Sequence, residues 1–196
     1  MTEYQWDKKL KTETCGRDDY HADNIHFPYE PTPYSVLERL AQSGYITKEN
    51  SLVDYGCGKG RVGFFLSYAI GCKCTGVEYD EPIFKAALQN KKAFSKPHLV
   101  DFFCENAESF RVDDADSFYF FNPFDVKILQ SVIGKIKESY YLNPRKMNFF
   151  FYYPNDDYLS FLLTDRELSF VGEIDCRDLF EGSNKREKIV IFEIFA

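Results

Sequence analysis

Eight consecutive residues, Asp54-Tyr55-Gly56-Cys57-Gly58-Lys59-Gly60-Arg61, bring an acid, three alternate glycines and two bases together between an apolar run and an amphipathic one. Glycines let a backbone approach a ligand closely, and a helix that starts there offers N–H donors with no partner inside the helix. Two nucleotide loops fail on spacing. A GxGxxG fingerprint from Gly56 needs glycine where Arg61 stands, and a GxxxxGK[ST] phosphate loop needs glycine and Ser or Thr where Val53 and Gly60 stand. Glu78 closes the next apolar run 18 positions beyond Gly60. That is near the ~20-residue offset at which a carboxylate accepts from ribose hydroxyls in a nucleotide-binding βαβ unit. The plainer role for Glu78 is a charge ahead of a helix.

The stretch Val53 to Gly60 resembles motif I of the class I S-adenosylmethionine-dependent methyltransferases, a strand ending in an acid and, one residue on, GxGxG. The resemblance extends over residues 26–196 and implies S-adenosylmethionine as cofactor. Gly56, Gly58 and Gly60 would lie under its methionine part, Asp54 would place the turn or the amino-acid group, and Glu78 would hold the ribose. Where the family often has Asp-Ala against the adenine, this chain has Asn106-Ala107. Loop asparagine also serves plain turns. Asn122-Pro123-Phe124 is similar to motif IV of amino-group methyltransferases, with a single proline. By that likeness the Asn122 side-chain oxygen and the Pro123 carbonyl accept from an amine while Phe124 covers it. Upstream, Tyr29-Glu30-Pro31-Thr32-Pro33 stands where such enzymes lay a segment over the cofactor or acceptor, with Tyr29 and Thr32 as its contact residues.

The elements that must position these residues follow a βαβ rhythm. Strands are expected at 51–55, 73–78, 99–104, 117–121 and 148–153, and helices at 61–70, 81–93 and 126–140. Asp80 and Pro82 suit a helix start. Thr32 and Pro33 read as N-cap and first position of an earlier helix that stops at Gly44. Runs such as Phe149–Tyr153 are apolar throughout, as parallel strands covered on both faces should be. After a short helix at 155–163, two strands at 168–175 and 188–195 form a hairpin. The expected fold is α/β, doubly wound and Rossmann-like, with a mostly parallel seven-stranded sheet and an antiparallel C-terminal hairpin strand. Residues 1–25 lack periodicity and read as a mobile arm or lid ahead of a methyltransferase domain at 26–196.

Composition narrows the function. With 196 residues the chain suits one domain, and net charge −7 disfavours long nucleic acid as a partner. The methyl acceptor is left open among a small molecule, a protein side chain and a nucleobase, and oligomeric state is unreadable. The six cysteines show no metal-type spacing, so no metal site and a reducing, cytoplasmic setting are expected. The first residues are too polar for a signal peptide, and no apolar run spans a bilayer. Histidines 21, 26 and 98 are scattered, and methyl transfer to a neutral amine needs little general base. The reading is therefore an S-adenosylmethionine-dependent methyltransferase acting on an amino nitrogen. Its alternatives are a non-catalytic module binding S-adenosylmethionine or S-adenosylhomocysteine, and a dinucleotide-dependent oxidoreductase, which the glycine spacing contradicts.

Overall fold

The computed structural model describes residues 1–16, 29–182 and 184–194. Seven strands form one sheet in the order β3-β2-β1-β4-β5-β7-β6. They are β1 (Ser51–Tyr55), β2 (Lys73–Glu78), β3 (Val100–Cys104), β4 (Ser117–Phe120), β5 (Met147–Tyr152), β6 (Ser169–Asp175) and β7 (Lys188–Ile194). The pairs β1 to β2, β2 to β3, β1 to β4 and β4 to β5 are parallel, while β7 runs antiparallel to both β5 and β6. The doubly wound fold with its C-terminal hairpin is thus present, and the sheet changes direction of growth between β1 and β4.

Alternation along the strands builds two cores. Leu52, Tyr119, Phe150 and Tyr152 face helices α1 (Glu3–Leu10), α2 (Tyr34–Gln42) and α3 (Arg61–Ala69), whereas Val53, Tyr55, Phe118, Phe120, Phe149 and Phe151 face α5 (Val126–Leu142) and α6 (Asp156–Thr164). Helix α4 (Glu81–Ala93) joins the first core through Ala87. Stacked rings link β1 to β4 and β4 to β5: Tyr55 on Phe120, Phe118 on Phe149 and Phe120 on Phe151. Each of these fully buried rings contributes about 1.5–3 kcal/mol of burial free energy. Among the described residues no helix is long and apolar enough to cross a membrane.

Local chemistry sets the helix starts. Asp80, Asp125 and Asn155 accept from backbone N–H groups of Ile83, Lys127 and Tyr158 at 2.9, 2.6 and 2.8 Å. Helix α2 begins differently from expectation. Pro33 is its N-cap and carries no side-chain bond, while the Thr32 hydroxyl is 2.9 Å from that of Tyr119. The cap comes from another helix: the Tyr34 N–H donates to the Glu3 carboxylate at 3.0 Å.

The expectation of a mobile arm is corrected for its first part. Residues 3–10 form α1, closed by a Thr2–Gln5 capping box, with Trp6 and Leu10 in the core. Trp6 packs edge-on to Phe65 and stacks on Tyr34. Asp7 is buried and accepts from the Thr14 and Cys15 N–H groups and from the Thr14 and Tyr34 hydroxyls at 2.6–2.9 Å. Burial raises its pKa, yet these bonds outweigh it and hold the carboxyl below its ordinary value. The rest of the expected arm, residues 17–25, lies outside the described residues, as does His26.

Candidate active site

In an open α/β sheet, ligands bind outside the carboxyl ends of the strands where the strand order reverses. A cleft lies at that place here, between the loops after β1, β2, β3 and β4. Its lining includes Tyr29, Thr32, Asp54, Gly56, Glu78, Asn106, Ala107, Asn122, Pro123 and Phe124. Gly58 and Gly60 lie in the loop behind it.

The three glycines are required, though partly for a reason other than ligand approach. All have positive φ, +70°, +56° and +88°. A Cβ on Gly56 would meet Pro123 at 2.3 Å, one on Gly58 the Tyr29 ring at 2.1 Å, and one on Gly60 the Phe102 ring at 2.6 Å. Bare backbone therefore lets the loop after β4 and the Tyr29 segment close onto the turn. Tyr29 is fixed by a bond from its hydroxyl to the Thr14 carbonyl at 2.6 Å, and the Lys59 ammonium lies 5.0 Å from its ring centroid.

Of the acids that line the cleft, which include Glu30, Asp80 and Glu105, Asp54 and Glu78 belong to strands β1 and β2. Asp54 is 3% exposed, and its Oδ2 has no hydrogen-bond partner. Burial, and then the charge of Glu78, push its pKa well above the usual carboxylate value. A buried acceptor without a partner is costly and suits a donor supplied from the cleft. Glu78 accepts from the Gly58 N–H through Oε2 at 2.8 Å and from the Asp80 N–H through Oε1 at 2.9 Å. Burial raises its pKa against these two bonds. The pairing locks the turn after β1 to the end of β2 while leaving Glu78 on the cleft wall.

Other expected contacts are spent within the protein. The Asn106 side-chain oxygen accepts from the Glu108 N–H at 2.8 Å, a local turn contact. Asn122, at φ +42°, donates from Nδ2 to the Tyr153 carbonyl at 2.8 Å and accepts at Oδ1 from the Asn155 N–H at 3.2 Å. Its amide ties the loop after β4 to the loop after β5. Phe124 is 4% exposed and packs on Phe120, and its carbonyl accepts from the Tyr158 hydroxyl at 2.6 Å. It borders the cleft from the core, and Phe121 presents the more open ring.

Arg61 is a site residue to which its sequence context gave no role. It is buried and lines the cleft. Its guanidinium pairs with Glu3, donates to the Thr14 hydroxyl at 2.8 Å and the Thr32 carbonyl at 3.2 Å, and lies 4.3 Å from the Tyr34 ring centroid. These partners are distant in sequence, and only the proximity of Arg61 to the glycines hinted at a role.

No family model matches the chain. A protein-lysine N-methyltransferase of Saccharolobus islandicus is 32% identical over 66 residues, a match that covers 33% of this chain and 41% of that protein. An RNA methyltransferase from Salinibacter ruber, solved with S-adenosyl-L-homocysteine, superposes with a TM-score of 0.57 at 19% identity, covering 85% of this chain and 94% of the other. The CcbJ methyltransferase from Streptomyces caelestis gives 0.62 at 14% identity over 85% and 91%. The fold of this chain is the class I methyltransferase fold.

Proposed function

We propose that the protein is an S-adenosylmethionine-dependent methyltransferase that acts on an amino nitrogen. One arrangement carries the reading: Asp54, whose buried Oδ2 lacks a partner, and the loop-locking Glu78 line one cleft together with Asn122-Pro123 at the strand-order reversal. The solved relative with bound S-adenosylhomocysteine and the partial match to a protein-lysine N-methyltransferase support it. The donor set suits the cofactor's groups. Asp54 would accept from the α-ammonium, Glu78 from the ribose hydroxyls, and Val77 and Ile83 with Asn106-Ala107 would wall the adenine. Tyr29 and Thr32 belong to the segment that closes over the turn.

When bound, S-adenosylmethionine supplies an electrophilic methyl: the new N–C bond forms as the C–S bond breaks, the bonding pair stays on sulfur, and nitrogen releases a proton to water. The chain's task is then to hold a neutral amine in line and to exclude bulk water. Asn122 and Pro123 line the same cleft as the acids. With Nδ2 bound to Tyr153, the Asn122 side chain is set in orientation, and the Pro123 carbonyl adds an acceptor for an amine N–H.

Thermal unfolding with S-adenosylmethionine, S-adenosylhomocysteine, NAD and ATP tests the cofactor. Ligand at 100 times its Kd stabilises by about 2.7 kcal/mol, a rise of roughly 5–11 °C for a domain of this size. A rise with the two adenosyl compounds alone is expected. No rise at saturation would end both this reading and that of a non-catalytic cofactor-binding module. Binding without methyl transfer to any amine would leave only the latter.

A further inference from the structure

A second groove adjoins the cleft and shares Glu30, Phe121 and Asn122 with it. From there it continues along Tyr152 and Tyr153 to Glu187 at the start of β7. The strand ends that form its floor are unusual. Asn122 after β4 and Tyr153 after β5 are non-glycine residues with φ of +42° and +50°, and the Asn122 amide is bonded to the Tyr153 carbonyl. Left-handed backbone at a residue with a side chain is unfavourable and gathers at functional sites. Here the Tyr153 ring lies beside Phe121, with centroids 6.5 Å apart, and Tyr152 lies 4.7 Å from Phe121 and 6.1 Å from Tyr153.

Charge tells what such a groove takes. Among the described residues its carboxylates are Glu30 and Glu187, the latter held by the Tyr152 hydroxyl at 2.7 Å. The Arg186 guanidinium also lines it, tied to the Pro154 carbonyl at 3.2 Å and 4.5 Å from the Tyr153 ring centroid. Two carboxylates and aromatic faces favour a cation on an aliphatic stem, since rings accept methylene groups along their faces and ammonium groups over them. A phosphate or carboxylate would meet the same two acids.

We propose that this groove is the acceptor subsite and that it receives a primary alkylammonium on a linear stem, of the kind a lysine side chain or a free diamine carries, which gives up one proton to water before its nitrogen attacks. This rests on the methyl-transfer reading for its connection to the cleft. Tyr153 and Phe121 line the stem, and Glu187 with Glu30 sets the preference for positive charge.

The test titrates protein loaded with S-adenosylhomocysteine, with its aromatic rings isotopically labelled for NMR. The probes are n-butylammonium, cadaverine, a lysine-containing peptide, sodium butyrate and a short oligonucleotide. Saturable shifts at the Tyr153 and Phe121 rings with butylammonium, and none with butyrate, are expected. Glu187→Gln keeps an acceptor for the Tyr152 hydroxyl and should weaken butylammonium about three- to fivefold. Tighter binding of the peptide than of butylammonium assigns the amine to a polypeptide, and equal or tighter cadaverine binding assigns it to a free amine. Butyrate or the oligonucleotide shifting the same rings, or an unchanged affinity in Glu187→Gln, overturns the proposal. Should S-adenosylhomocysteine fail to bind at all, the methyl-transfer reading falls, and the same titration of the ligand-free protein still decides what the groove takes.

Discussion

Asp54 is the residue at which function and stability most plainly conflict. Its raised pKa means that the folded state holds the proton to a higher pH than the unfolded chain does. The folded state therefore loses stability relative to the unfolded state as pH rises from the unfolded value of about 3.9 through the folded one. Asp54→Asn removes that loss. The variant is expected to melt about 2–6 °C above the wild type near pH 8, with the gap shrinking on acidification, and to bind S-adenosylhomocysteine more weakly. Scanning calorimetry across pH checks the first part, and an equal gap at all pH values would remove the proposed titration. Asn122 separates in another way. Asn122→Gly keeps the left-handed backbone and deletes the amide bonds to Tyr153 and Asn155. Cofactor affinity should be unchanged within about twofold while turnover drops at least ~10-fold, because the deleted bonds run to the loop after β5 and not to the glycine turn. If turnover survives, the amide is merely a tether.

At the scale of elements, the readable part of the chain is the part whose logic is local. The bounds of β1 and β2 follow from apolar runs ended by Gly-rich and Asp-Glu-Pro turns, and α4 from Asp80 with Pro82. Helix α1 escaped because its buried face is Trp6, Asp7 and Leu10, one of them a carboxylate, so no apolar stripe marks it. What makes Asp7 tolerable inside is a set of donors from Thr14, Cys15 and Tyr34, residues far enough along the chain that no spacing rule connects them. The same holds for Arg61 and Glu3, and for the amide of Asn122, whose types were legible and whose partners were not. Asp7→Ala should therefore destabilise by about 2–4 kcal/mol, since it leaves several buried donors unsatisfied. The contribution is a lowered-pKa one, present above the unfolded carboxyl value of about 3.9 and lost as pH falls through the folded value. Urea unfolding of both proteins at neutral and acid pH measures it. A difference that did not narrow in acid would mean that packing, and not the ionised carboxyl, supplies the stability.

For the molecule as a whole, the glycine turn and the N-terminal segment form one mechanical unit. Arg61 opens α3 on the cleft wall and is gripped by Glu3, Thr14 and the Thr32 carbonyl. Asn90 of α4 bonds both the Lys59 carbonyl in the turn, at 3.1 Å, and the Glu13 N–H, at 2.9 Å. Any ligand that favours the observed turn must then favour the docked α1, and docking of α1 must favour the ligand by the same free energy, because coupling between sites is reciprocal. Glu3→Ala tests this from a position outside the cleft lining. It removes the partner of a buried guanidinium and the backbone cap of α2, but Glu3 is half-exposed, so the cost is about 1–2 kcal/mol, or roughly 2–8 °C. Affinity for S-adenosylhomocysteine should fall with stability, and in the wild type the ligand should slow amide exchange across α1. Slower exchange confined to the strand ends, with affinity untouched in Glu3→Ala, would mean that α1 stabilises the fold without reporting on the site.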